Sequence, residues 1–273
     1  MSDLRLRARS VSEIVDAAFQ LYKRDALEYV LVAAVAYAPS IVAQLFFVRS
    51  LTSLASGRGA LFGPAWFTAS ILGIFAYALM SAVLSAFSSD IYLDRPTGLP
   101  EVVRMVLPRV FRVIGATILL GFVGALGFVP VMLGMGIGSM LLMFLGVLAS
   151  IGWALYVFAR FFAVLQVIVI EDRRILESFV RSSVLSRGLK WHILLTLILI
   201  VVIFVMLSFA TSMIGLALGP GGLIAIQALY TVFAYPLIGI TQVVLYYDAR
   251  IRNEGFDIEM MTGALETSAP ITP

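Results

Sequence analysis

The chain offers catalysis a single histidine, His192, and no cysteine. Thiol nucleophiles, disulfides and thiolate metal sites are therefore excluded by residue type alone. His192 follows Trp191 at the start of an apolar run, with no second histidine and no acid–histidine motif beside it in sequence. Metal and triad chemistry thus lack sequence support, and His192 reads as an interfacial residue. No phosphate loop or dinucleotide fingerprint occurs either. No catalytic residue, metal ligand or cofactor is expected.

Arg160 is the polar residue most at odds with its surroundings, because it interrupts a long apolar run about ten residues before Glu171. A charge at such depth is costly and faces a bundle interior with a partner. Asp90 and Asp248, at the ends of two other apolar runs, are the candidate partners. One reading of Arg160 is a lipid-headgroup or anion contact; the other is a structural ion pair or a side chain snorkelling to the interface. The segment YYDARIRNEGFD places Asp248, Arg250, Arg252, Glu254 and Asp257 as a mixed-charge cap on the last helix, with Gly255 turning the chain. Arg181 and Arg187 are the expected partners of that cap; a solvated helix end is the alternative. Arg160, Asp90, Asp248, Arg181 and Arg187 are accordingly the candidate intramembrane or interfacial contacts.

The elements that must position these residues follow from composition. Of 273 residues, 61% are hydrophobic and 13% charged, with a mean hydropathy of +1.03. Soluble domains hold about twice that share of charge. The excess apolar surface must face lipid, where only helices and closed barrels satisfy the backbone. The apolar runs are long and do not alternate, which selects helices. About 20 apolar residues span a bilayer, and runs at about 27–48, 66–88, 113–133, 140–170, 191–218 and 223–247 meet that length. Gly134, Gly136 and Gly138 divide the third run from the fourth, and Gly219 to Gly222 turn the chain before the sixth. The expected fold class is all-α: a polytopic integral membrane helical bundle of about six transmembrane helices, plus short interfacial amphipathic helices.

The net charge of +3 and pI near 9.3 do not indicate nucleic acid, because the basic residues gather in loops between apolar runs. Arg5, Arg7, Arg9, Lys23 and Arg24 flank the first run, Arg95, Arg104, Arg109 and Arg112 follow the second, and Arg173, Arg174, Arg181, Arg187 and Lys190 follow the fourth. Arg250 and Arg252 close the sixth, whereas the opposite loops hold only Arg49 and Arg58. The positive-inside rule then puts both termini on the cytoplasmic side of the membrane. The polar N-terminus lacks the apolar core of a cleavable signal peptide. The expected organisation is an N-terminal amphipathic helix over 1–26, a six-helix domain over 27–250 and a cytoplasmic tail over 251–273, polar and disordered after Gly263.

Three segments carry amphipathic spacing. In the first, Ser10 and Glu13 form a capping box ahead of Val11, Ile14, Val15, Ala18, Phe19 and Tyr22. The second sets Val102, Met105, Val106, Val110 and Val113 on one face, with Pro108 as a kink. The third does the same with Leu176, Phe179, Val180 and Val184. Aligning Glu13, Glu101 and Glu177 suggests an approximate threefold repeat of amphipathic helix, span, turn and span. Such helices form either a collar at headgroup depth beside anionic lipid or plain connections packed under the bundle. Pro39, Pro130 and Pro236 lie within spans, and Gly121, Gly124, Gly127, Gly134 and Gly138 permit close helix approach.

Three stretches, RSVSEIVDAAFQLYKRD at 9–25, IEDRRILESFVRSSVLSRGLKW at 170–191 and LYYDARIRNEGFDIE at 245–259, have a combined likeness. Together the chain resembles the prokaryotic membrane domain family named for glycerophosphoryl diester phosphodiesterase. That resemblance implies a six-helix polytopic domain, often free-standing. It does not imply the enzyme, which needs several histidines and metal-holding carboxylates; this sequence has one histidine and no soluble domain after its spans. The functional expectation is a non-enzymatic membrane protein that scaffolds or organises lipid or a partner. The expected partners are membrane lipids and a membrane protein or a second copy, with no nucleic acid. The alternative is a small transporter or permease subunit for a lipid or amphiphile, since Gln44, Gln166, Gln227, Thr231, Gln242 and Arg160 are the few polar groups within the spans.

Overall fold

The computed structural model describes residues 7–39, 63–95, 98–258 and 262, and every regular element among them is helical. In chain order these are α1 (Val11–Arg24), α2 (Ala26–Pro39), α3 (Pro64–Tyr92), α4 (Leu99–Val106), α5 (Val110–Ala125) and α6 (Val129–Ile137). They continue as α7 (Met140–Arg160), α8 (Val164–Ile170), α9 (Ile175–Leu185), α10 (Lys190–Ala217) and α11 (Gly219–Glu254). Five stretches are long and apolar enough to cross a membrane: Trp66–Tyr92, Leu99–Ile137, Met140–Ile170, Lys190–Ala217 and Gly221–Glu254. The fold is an all-α bundle of a membrane protein. The expected first span begins in α2 and continues past the described residues, as do Arg49, Arg58 and the tail after Gly263.

Local chemistry sets most helix ends. Ser10 Oγ accepts the Glu13 amide at 3.4 Å while Glu13 Oε2 accepts the Ser10 amide at 2.8 Å, completing the capping box of α1. Gly255, at φ 67°, closes α11 in the left-handed conformation that a Cβ disfavours. The expected glycine break at 134–138 narrows to Gly138, at φ 69°; Gly134 and Gly136 remain helical. The turn expected over Gly219–Gly222 likewise contracts to Gly219. Pro220 already stands in the first turn of α11, where its missing N–H costs no hydrogen bond. Pro108 lies in a 3-10 turn at Leu107–Arg109, and Pro130 follows another at Leu126–Phe128.

The fourth expected span is not one helix. Phe161, Phe162 and Ala163 break it between α7 and α8. Beyond the break, Val164 through Val169 are buried on all sides, which fits a short apolar helix enclosed by the bundle. Helices α3, α8 and α11 surround this centre with Leu84, Phe87, Ile168, Tyr246 and Tyr247. Helix α1 lies across α10 and α11 and buries Ile14, Ala17, Ala18 and Leu21 in the same core.

The hairpin of α5–α6 with α7 is different. About 39% of the most apolar 18-residue segment of α3 is buried, but 11% of the corresponding segment in each hairpin arm. Its two arms touch through backbone. A Cβ on Gly134 would stand 2.5 Å from the Met143 nitrogen, and one on Gly146 would stand 2.7 Å from the Pro130 carbonyl carbon. Small residues at such contacts let membrane helices approach closely. Trp153 Nε1 donates to the Val123 carbonyl at 2.8 Å and Ser150 Oγ to the Gly127 carbonyl at 2.6 Å. Both serve backbone groups around the 3-10 turn, as lipid-exposed helices require.

Candidate functional site

The charged side chains gather at one end of the bundle, where ion pairs join elements far apart in sequence. At the centre is Asp248, 1% exposed. Its Oδ2 accepts from Arg252 Nε at 2.9 Å and lies 3.1 Å from His192 Nε2, while Oδ1 accepts the Arg9 amide at 2.7 Å. Arg252 Nη2 also donates to the Arg9 carbonyl at 2.7 Å. A buried carboxylate is tolerated only when its lone pairs are matched in this way. Asp248 thereby ties the approach to α1 onto both α10 and α11.

A second node holds α8, α9 and α11 together. Arg181 Nε donates to both Glu171 oxygens, at 3.1 and 3.0 Å, and its two terminal nitrogens engage Glu254. This bidentate geometry is the strong form of the arginine–carboxylate pair. The Glu254 carboxylate raises the Arg181 pKa further above its already basic value. Glu171 also accepts from the Tyr246 hydroxyl at 2.8 Å, and Arg250 Nε donates to Glu254 at 3.2 Å.

The third node is a turn. Asp172 adopts φ 56°, a left-handed conformation that aspartate accepts more readily than most residues. Its carboxylate meets Arg112 Nη2 at 2.5 Å and Arg109 Nε at 3.1 Å. Arg112, the stronger partner, holds the Asp172 carboxyl below the ordinary range. Arg24 pairs with Asp94 at 3.0 Å across the same end.

Helix α9 mends the break between α7 and α8. Ser182 Oγ accepts the Ala163 amide and donates to the Arg160 carbonyl, both at 3.2 Å. Ser178, Ser182 and Leu185 face inward, whereas Leu176 (71% exposed) and Val180 (64%) face outward. Arg173 and Arg174 precede this helix and Arg187, Lys190 and Trp191 follow it in the chain, and all five are exposed.

The structure reassigns the expected pairs. Arg160 meets neither Asp90 nor Asp248. Its guanidinium donates to the Tyr156 hydroxyl instead, one helical turn back. Oδ2 of Asp90 is buried with no hydrogen-bond partner among the described residues. Arg181 does dock on the cap of the last helix, but through Glu254. Arg187 contributes its backbone carbonyl, accepting from Asn253 Nδ2 at 3.3 Å, rather than its charge. Sequence reading missed the acid partner of His192, because Asp248 lies 56 residues away. One signal could have raised it: His192 and Asp248 both stand at the basic end of an apolar run.

Within the bundle the polar groups are few. Gln166 Nε2 donates to Gln242 Oε1 at 3.1 Å and reaches Ser85 Oγ at 3.5 Å. Gln242 also lines a cleft of about 40 Å³ between α3 and α11, with Tyr77, Ser81 and Tyr235. That volume suits water rather than a solute of drug size. Among the described residues no three His, Asp or Glu side chains converge to hold a metal ion. No family model matches the chain, and no curated protein or solved structure matches it.

Proposed function

We propose that this chain is a non-enzymatic, multi-pass membrane module that organises lipid or a protein partner at the cytoplasmic face of a prokaryotic inner membrane. The observation that carries this reading is the outer face of α9: Leu176 and Val180 point away from the bundle, with exposed Arg173 and Arg174 just before the helix and exposed Arg187, Lys190 and Trp191 just after it. Apolar side chains accompanied by arginine, lysine and tryptophan suit the headgroup layer of an anionic leaflet. Behind that face, Arg181 ties α9 to Glu171 and Glu254. The cytoplasmic placement of both termini rests on the distribution of basic residues. The resemblance of residues 9–25, 170–191 and 245–259 to a free-standing membrane domain points the same way.

A second reading, a small transporter for a lipid or amphiphile, draws on the Gln166–Gln242–Ser85 contacts beside the small cleft. A cleft of that size favours the first reading.

The test is gentle extraction of the tagged chain from its native membrane, with proteins and lipids that accompany it identified by mass spectrometry. A stoichiometric protein or a strongly enriched anionic lipid is expected, and each should diminish when Leu176 and Val180 are both changed to Ser. Recovery of neither, together with substrate flux in reconstituted vesicles that Gln166→Ala abolishes, would replace the organising role by transport.

A further inference from the structure

Arg160 and Lys190 reach the same aromatic ring from different helices. The Arg160 guanidinium carbon lies 5.6 Å from the centre of the Tyr156 ring, and Lys190 Nζ lies 5.2 Å from that same centre. Arg160 also donates to the Tyr156 hydroxyl and lies 5.6 Å from the Phe161 ring. Several neighbouring arginines at this end of the bundle are matched by carboxylates: Arg181 by Glu171 and Glu254, Arg109 and Arg112 by Asp172, and Arg252 by Asp248. Arg160 and Lys190 are not; among the described residues neither has an acidic partner, and Arg160 Nε is buried without any hydrogen-bond acceptor. Two like charges beside one ring repel, and an aromatic quadrupole attracts cations without neutralising them.

The surroundings specify the missing charge. Lys190 opens α10, a helix of 28 residues whose N-cap, Leu189, supplies no capping side chain. The first amides of that helix and its dipole favour an anion beside Lys190. Tyr156 and Lys190 are exposed, and Trp191, 78% exposed, stands next to them as interfacial tryptophans do. Above Arg160, α7 turns the apolar side chains of Leu155 and Phe158 outward. A guanidinium, an ammonium and a phenol at the junction of apolar helix and polar end match the oxygens of a phosphate.

We infer that Arg160, Lys190 and Tyr156 form a phosphate-binding site at the membrane interface, which a lipid headgroup enters from the side of α7 and α10. This deepens the lipid-organising reading and rests on it.

The experiment measures thermal unfolding of the full chain in neutral detergent with phosphatidylcholine, while phosphatidylglycerol is added. A parallel arm adds inorganic phosphate at constant ionic strength. Phosphatidylglycerol should raise the midpoint of the wild type, and Lys190→Gln, at an exposed position, should weaken the apparent affinity on the order of tenfold. Lys190→Glu should abolish the response and raise the midpoint in phosphatidylcholine alone, because it sets a carboxylate beside Arg160. A purely structural lysine would not give that opposite pair of effects. A response to inorganic phosphate and none to phosphatidylglycerol would keep the phosphate site and reject lipid as its source. If the wild type and both variants respond equally to phosphatidylglycerol, this site is wrong while lipid organisation stands. If the wild type responds to neither probe, the site and the anionic-lipid form of the organising role fall together.

Discussion

Helices α1 and α9 carry the same N-terminal device, yet α1 buries an apolar face and α9 a mixed one. Each has a glutamate at its third helical position, and each glutamate accepts the amide three residues before it: Ser10 at 2.8 Å for Glu13, Arg174 at 3.3 Å for Glu177. Helix α1 turns Ile14, Ala18 and Leu21 into the core, as an amphipathic helix on a soluble protein would. Helix α9 turns Ser178 and Ser182 inward along with Leu185 and leaves Leu176 and Val180 outside. The neighbour decides. Beneath α1 lie the packed faces of α10 and α11, whereas beneath α9 lies the broken backbone at 161–163, whose free amide and carbonyl need a hydroxyl. Lipid is as apolar as leucine, so an outward Leu176 loses little beside a membrane.

The contrast is sharpest at the anchor of α1. Asp248→Ala leaves His192 and Arg252 without their buried acid and releases the Arg9 amide. A loss of about 3–5 kcal/mol is expected in detergent unfolding, the cost of breaking a buried charge pair. A loss under about 1 kcal/mol would mean that α1 does not depend on this node. Next come the two apolar faces themselves. Leu21→Ala removes a fully buried side chain and should cost about 2–5 kcal/mol, whereas Leu176→Ala should stay within about 0.5 kcal/mol. Equal costs would erase the distinction between the helices.

Ser182→Ala probes the inward face of α9. It orphans the Ala163 amide and the Arg160 carbonyl, and should cost about 1–3 kcal/mol. Ser183→Ala, whose hydroxyl bonds only the carbonyl of Val180 on its own helix, is the control and should be near neutral. The smallest effect is in the cap of α1. The Arg7 hydrogen bond, with help from Ser10, holds the Glu13 carboxyl down from 4.5 to about 2. The folded state therefore favours the ionised form: its contribution is whole above the unfolded value and fades as pH falls from about 4.5 to about 2. Amide exchange in the first turn of α1, corrected for intrinsic rates, should quicken over that range. Glu13→Gln should remove the pH dependence.

Much of this was legible from residues. The apolar runs located the crossing helices because their length is fixed by the bilayer, and Ser10 with Glu13 announced a helix start because capping is a matter of three adjacent residues. Gly255 announced a helix end for the same reason. The break at 161–163 was not legible, since Phe161, Phe162 and Ala163 carry neither glycine nor proline and the run stays apolar through it. The hydroxyl of Ser182, brought by another helix, satisfies the amide and the carbonyl that the break leaves open. Asp248 and His192 could be placed at the same end of two helices, but not together.

By itself, the sequence determined what the bilayer demands: an all-helical fold, the positions of its long apolar runs, and the segregation of arginine and lysine into the stretches between them. Those are properties of single segments in a uniform solvent, so composition and period suffice to read them. The tertiary structure decided which face of each amphipathic helix is buried, which acid each arginine meets, and that Arg160 and Lys190 share one ring without an acid of their own. Pair energies of charges depend on distances of a few ångströms between elements remote in the chain, and no local pattern carries them.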